Sequence, residues 1–304
     1  MQTTFTPADL RRSVIAVPPL CRGADFKPDA KENAKLIRHM EAGGVDILLY
    51  GGNANFYNIA LSEYELILDQ LEACAAANTL IIPSVGPYRG IALDQAAILA
   101  GRKFPTVMLL PTMAVAKPEG VRATVMELAQ KLQRPIVLYV KDEGYVTLDV
   151  IKSLLGAGVI SWIKYAVVRD DPAQDALLEA ISNEVPREIL VSGIGEQPAI
   201  IHRTKFGVEA FTAGCVCVAP NRSQEMLQAL QAGDLSKADA IRLKFTKLED
   251  LRNAHGPIPV LHHAVKLAGI AETGPMLPLL CDLDASLQSQ IAVVAKETLA
   301  WSRE

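Results

Sequence analysis

The run VISWIKYA, Val159 to Ala166, governs the reading of the whole chain. It is too short and too β-branched for a helix. It is apolar at odd and even positions alike, as a strand buried on both faces has to be. Seven runs of the same kind flank it. SVIAV (Ser13 to Val17), VDILLY (Val45 to Tyr50), TLIIPSVG (Thr79 to Gly86), TVMLLP (Thr106 to Pro111) and PIVLYV (Pro135 to Val140) come before it. EILVSG (Glu188 to Gly193) and VEAFTAG (Val208 to Gly214) come after. Between them lie amphipathic segments with apolar residues at helical spacing, such as Ala30 to Ala42 and Ser62 to Ala77. Ser62 stands three residues before Glu65, the spacing of a capping box, which sets a helix start there. A β-α unit repeated eight times predicts an α/β protein, a closed parallel (β/α)8 TIM barrel.

The chain continues past the eighth run. Ser223 to Gln231 reads as the last barrel helix, and Leu235 to Asn253 as a long helix broken by HGPIPV. Pro259 is placed to open the next helix, through Leu267 to Gly269, and Asp284 to Ser302 reads as a final one. A closed barrel has no room for three more helices inside, so they belong on its outside or at a subunit contact. The expected organisation is a barrel over residues 1–232 with a helical C-terminal extension of the same domain over 233–304.

With 304 residues, half of them hydrophobic, the chain can bury one large core. The net charge of −4 is made of interspersed acids and bases without a basic stripe, which excludes nucleic acid and anionic membrane as partners. No apolar run approaches a membrane span, and MQTTFTPADLRRSV has no apolar h-region, so a cytoplasmic protein without signal peptide is expected. Five cysteines, an odd number, argue against a disulfide framework. Cys215 and Cys217 alternate in an apolar run and read as strand positions. His262-His263, on a predicted helix, lacks a third ligand and reads as a surface or core pair, so no metal site is expected.

Function in such barrels sits where strands end at the C-terminal face. Lys164 stands out, because a lysine inside an apolar strand is paired, snorkels outward, or loses its proton to desolvation. The last state is the nucleophilic amine of Schiff-base chemistry. Pattern alone leaves the structural and the nucleophilic lysine equally open. Tyr139 ends the fifth run, next to the sixth in a parallel barrel, where a phenol can relay protons; taken alone it reads as a core tyrosine. Gly51-Gly52-Asn53 follows the second run. Paired glycines let backbone N–H groups approach a carboxylate, though such a pair is also an ordinary tight turn. Asn53, Asn55 and Asn58 either offer amides to substrate hydroxyls or satisfy their own loop. Lys141, after the fifth run, and Gly193 and Ile194, where the seventh ends in SGIGEQ, complete the candidate substrate-binding set.

These residues resemble the dihydrodipicolinate synthase / N-acetylneuraminate lyase family of class I aldolases, over almost the whole length from VPPL (Val17 to Leu20) to PMLPLL (Pro275 to Leu280). Ile163-Lys164-Tyr165 is similar to the family's I-K-(E/D/Y) around its Schiff-base lysine, and Tyr139 to its strand-five tyrosine. Gly51 to Phe56 matches G-x-T-G-E-F in position, and Gly207 to Pro220 the run before N-V-x-P. The departures are Asn53, Ala54 and Asn55 for Thr, Gly and Glu, and Val140 for the usual Asn. The synthase arginine is missing from Lys141-Asp142-Glu143-Gly144, and the tyrosine after strand four from PTMAVAKPEG. GGNANFYNI, then Ser62-Glu63-Tyr64, and Lys141-Asp142 after the tyrosine, are closest to the sugar-acid dehydratase branch. The resemblance implies a cofactor-free lyase that carries a small 2-keto acid as a Schiff base. It implies a dehydratase or aldolase of keto-deoxy sugar acids, assembled as a homodimer or homotetramer. A dihydrodipicolinate synthase proper and a catalytically silent keto-acid binder are the alternatives.

Overall fold

In the computed structural model, which describes Met1 to Glu304, eight parallel strands close into a barrel in sequence order. They are β1 (Ile15–Ala16), β2 (Ile47–Tyr50), β3 (Leu80–Val85), β4 (Met108–Leu109), β5 (Ile136–Val140), β6 (Ile160–Tyr165), β7 (Leu190–Ser192) and β8 (Ala210–Ala213). Each lies within one of the eight apolar runs. The ladders engage fewer residues than the runs contain, above all in β1 and β4.

A short α1 (Asp9–Arg12) precedes β1. The helices α2 (Ala30–Ala42), α3 (Leu61–Cys74), α4 (Arg89–Leu99), α5 (Pro118–Leu132), α6 (Leu148–Gly156), α7 (Ala176–Glu184), α8 (Ala199–Phe206) and α9 (Pro220–Ala232) follow the strands in turn. The extension is α10 (Leu235–His255), α11 (Pro257–Leu267) and α12 (Ala285–Trp301). Several starts are capped by a side-chain oxygen on backbone N–H groups: Asp29 for α2, Thr147 for α6, Asp175 for α7, Asp234 for α10 and Asp284 for α12. One continuous cluster of buried apolar residues includes both barrel strands and Ile241, Phe245, Val260 and Leu261 of the extension, so α10 and α11 share the barrel's core. No helix is long and apolar enough to cross a membrane.

Three local readings change, and a fourth resolves to one of its two alternatives. Ser62 does not cap α3; the helix starts at Leu61, and Glu63 Oε1 accepts from Ala60 N at 3.1 Å. Glu63 is fixed in that place because it also pairs with the buried Arg22 at 2.8 Å. Pro257, not Pro259, opens α11, after Gly256 turns the chain at φ 92°. Cys215 and Cys217 lie in a 3-10 turn rather than a strand, because the β8 ladder ends at Ala213 while the apolar run carries on, still buried. His262 and His263 are a core pair. His262 Nε2 lies 2.9 Å from Gly274 O, and His263 Nε2 lies 3.4 Å from Asp282.

The β5–β6 ladder contains an irregularity. Ile136 pairs with Ile160, but Val137 pairs with Trp162, so Ser161 is an extra residue on β6. Its Oγ lies 2.7 Å from Thr106 Oγ, inside the barrel wall. Above the bulge the register is regular and sets Tyr139 opposite Lys164.

Candidate active site

Lys164 is the penultimate residue of β6, between Tyr139 of β5 and Val191 of β7. Successive strand residues face opposite ways, and the next residue shows which way is outward. The Tyr165 hydroxyl donates to Asp175 at 2.7 Å, and Asp175 is also held by Arg169 at 3.2 Å. That brace in the outer layer directs Lys164 into the barrel. The lysine is 6% exposed, and its Nζ sits 4.5 Å from the centroid of the Tyr139 ring. Burial, with Arg252 and then Lys141 adding positive potential, lowers its pKa to about 7. No carboxylate offsets this, so an appreciable share of the amine is neutral at pH 7. Burial, with Asp142 adding to it, pushes the Tyr139 hydroxyl up, so it keeps its proton.

Gly193 makes room for the lysine. A Cβ there would lie 2.7 Å from Ala166 Cβ, 2.8 Å from Tyr165 O and 2.9 Å from Lys164 Cγ. Gly51, at the end of β2, is confined in the same way, since a Cβ would fall 2.7 Å from Met108 Cε. The loop it opens folds on itself: Asn55 N donates to Gly52 O at 2.8 Å and Phe56 N to Gly51 O at 3.1 Å. Asn55 is left-handed at φ 56°. The N–H groups of Gly52 and Asn53 donate to no protein acceptor.

The asparagine side chains tie the loop. Asn53 Nδ2 donates to Val17 O at 3.0 Å, and Asn58 Nδ2 to Asn55 Oδ1 at 2.8 Å. Lys141 is exposed just past β5, near enough to act on the Lys164 charge. Ile194 presents its carbonyl to the Arg252 guanidinium. The structure thus brings Lys164, Tyr139, Lys141 and Gly193 together, with Ile194 at one side.

Sequence reasoning missed Arg252. It sits in α10, where an arginine reads as solvent-facing, yet it continues the three-and-four spacing of the buried Ala238, Ile241, Phe245 and Leu248, the signal that could have found it. It also missed Tyr57 and Tyr145, whose hydroxyls burial raises. Tyr57 donates its hydroxyl to Pro111 O at 3.3 Å, just past β4. No group of three or more His, Cys, Asp or Glu is arranged to hold a metal ion.

Residues 23–297 match the model of the Dihydrodipicolinate synthetase family. A "Probable 5-dehydro-4-deoxyglucarate dehydratase" of Rhizobium rhizogenes is 24% identical over 289 residues, 89% of this chain and 92% of that protein. A 4-hydroxy-tetrahydrodipicolinate synthase of Pseudomonas putida is 22% identical over 254 residues, 79% and 82% of the two chains. The crystal structure of dihydrodipicolinate synthase from Bacillus clausii superposes with a TM-score of 0.85 at 19% identity, covering 97% of this chain and 99% of that one. At such identities the likeness to solved structures carries the fold and leaves the substrate open.

Proposed function

The chain belongs to the dihydrodipicolinate synthetase family of lysine Schiff-base lyases, and on that premise we propose that Lys164 forms the imine with a keto-deoxy sugar acid, which is then dehydrated or cleaved. The observation that carries the reading is a buried amine, its pKa near 7, lying against the Tyr139 ring inside the barrel mouth.

The neutral amine attacks the C2 carbonyl, and the Tyr139 phenol moves a proton from nitrogen to oxygen so that water leaves. The resulting iminium draws electrons from C3. Loss of a C3 proton gives an enamine, which expels the C4 hydroxyl as water; that is dehydration. Alternatively the C4 hydroxyl gives up its proton, the C3–C4 bond breaks, and its electrons flow to the iminium; that is aldol cleavage. After cleavage the enamine left behind takes a proton at C3 to become an imine; in both branches water then hydrolyses the imine and restores Lys164. The free N–H groups of Gly52 and Asn53, with Gly51 allowing close approach, hold the C1 carboxylate. Lys141, Gly193 and Ile194 border the rest of the substrate.

The test is incubation with pyruvate and borohydride followed by peptide mapping. A modified Lys164 is expected; modification elsewhere, or none across several 2-keto acids, would falsify the assignment.

Dihydrodipicolinate synthase is the second reading, favoured by the Pseudomonas putida relative. Against it stand the absence of arginine in Lys141 to Gly144 and of tyrosine in Pro111 to Gly120. Rates with pyruvate plus aspartate semialdehyde, set against a panel of 3-deoxy keto sugar acids, decide between them. A synthase rate above every sugar-acid rate reverses the choice. Trapping without turnover on any of these compounds points to a silent binder. The reading also takes the protein to be a cytoplasmic homodimer or homotetramer, which light scattering in solution checks; a monomer at micromolar concentration contradicts it.

A further inference from the structure

A cavity of about 390 Å³ lies behind the ends of β6 and β7. It is walled by the loops that follow these two strands, by His202 of α8, and by Arg242 and Asn253 of α10. Its volume falls in the range of small-molecule sites, roughly 300–1,000 Å³. Lys164, Tyr139 and Gly193 do not line it; of the groups around the lysine only Ile194 does. Strand pairing explains the separation. Ser192 stands opposite Tyr165 and shares its outward sense, and His202 Nδ1 lies 2.8 Å from Ser192 Oγ.

His202 is 2% exposed, and burial lowers its pKa to about 4, so the ring is neutral at pH 7. The buried Ser192 hydroxyl has no other acceptor. It therefore donates to Nδ1, and the hydrogen of the ring sits on Nε2. Nε2 makes no hydrogen bond within the protein, on a ring that borders the cavity. A buried donor without an acceptor is destabilising, so this one calls for a partner from outside the chain.

The other unused groups of the lining are donors as well. Arg242, a quarter exposed, gives Nε to Asp239 Oδ1 at 2.8 Å, and its two terminal nitrogens have no protein acceptor. The N–H groups of Val168, Arg169 and Asp170 donate to no protein acceptor either. The neighbouring acids are already engaged. Asp175 takes the Tyr165 hydroxyl, Leu178 N and Arg169; Glu143 takes Arg169 at 2.7 Å; Asp250 takes the Gln197 amide. Asp170, exposed, is the one acid of the lining itself.

We propose that this cavity is a ligand site outside the catalytic barrel, taking a small molecule through a carboxylate or phosphate group that Arg242 and His202 hold. The free edge of a guanidinium matches such an oxyanion in shape and charge. The ring N–H and the loop N–H groups add donors that carry no charge of their own. The wall of the site also contains Arg169, which shares Asp175 with the Tyr165 brace. The occupant therefore sits beside the support of Lys164 and not in the path of its substrate. The site does not depend on which residue forms the imine.

The experiment follows the histidine ring signals of the full chain by NMR while succinate or inorganic phosphate is added at constant ionic strength in chloride. The His202 signal is identified by its loss in His202→Asn and by its displacement in Ser192→Ala. It is expected to move saturably with one or both probes, with a dissociation constant on the order of 1 mM or below, while the signals of His262 and His263 stay in place. The probe that binds more tightly names the group the site prefers. Arg242→Met should weaken the binding roughly tenfold or more, and Arg242→Lys should retain part of it. A His202 signal that saturates with neither probe overturns the proposal without any variant, so the test stands even if Arg242→Met fails to fold. A shift common to all five histidines, or binding to folded Arg242→Met within threefold of wild type, overturns it as well.

Discussion

Replacing Lys164 by methionine should make the protein more stable while abolishing its chemistry. In the unfolded chain the lysine keeps its proton to about pH 10.5; in the fold it releases it near pH 7. Between those values the unfolded state binds more protons, so wild-type stability rises with pH across that window. The burden of burying the amine is full below pH 7 and vanishes above about pH 10.5. A shift from 10.5 to about 7 corresponds to about 5 kcal/mol at pH 6, and to about 2 kcal/mol at pH 9. Methionine follows the same path past Gly193 and needs no proton, so Lys164→Met recovers up to that amount. Urea denaturation of both proteins at pH 6, 7.5 and 9 measures the difference. The variant should be the more stable at pH 6, with the gap narrowing towards pH 9. A gap that is absent, reversed or independent of pH would refute the view that the amine is held neutral by burial.

Four further outcomes follow from the same geometry. The rate of imine formation with pyruvate should rise with pH through about 7, as Lys164 loses its proton; a flat profile from pH 6 to 8 contradicts this. Tyr139→Phe should lower turnover by roughly 10²- to 10⁴-fold, the usual worth of a positioned acid–base group, with the fold intact by circular dichroism; a change under threefold removes the phenol from the mechanism. Gly193→Ala should slow trapping on Lys164 at least tenfold, roughly one kcal/mol or more of displaced geometry, because the new methyl meets the lysine stem at 2.9 Å; unchanged trapping shows that the stem has room to spare. Turnover should survive exhaustive chelation with EDTA, since the iminium supplies the electrophile; loss of activity restored by Mg²⁺ or Zn²⁺ contradicts the scheme.

The barrel was legible because a strand buried on both faces leaves a signal in every residue. The same signal misplaces strand ends. Nothing in VEAFTAGCVCVA distinguishes the last ladder residue, Ala213, from the buried turn that follows. Lys164 was legible as an exception, one charge in an apolar run. Arg252 was not, since its partners Ile194 and Gly195 lie far away in sequence, and a charged residue on the face that Ile241, Phe245 and Leu248 bury reads as an interruption of that face. The asparagines of GGNANFYN were legible as polar but not as partnered. Whether Asn53 faces a substrate or Val17 O depends on where β1 ends relative to β2.

The extra residue in β6 separates two halves of that strand. Below Ser161 the strand packs the barrel floor; above it, alternation begins afresh with Trp162 against Val137. The inward or outward sense of Lys164 is therefore counted from the bulge and not from the strand's start. Substitutions that shift Ile160 against its neighbours change the phase of the floor only. The lysine keeps its aim, because the Tyr165–Asp175 brace and the Tyr139 pairing fix the upper half independently. A change of register at Ile160 thus leaves unturned the one side chain on which the chemistry depends.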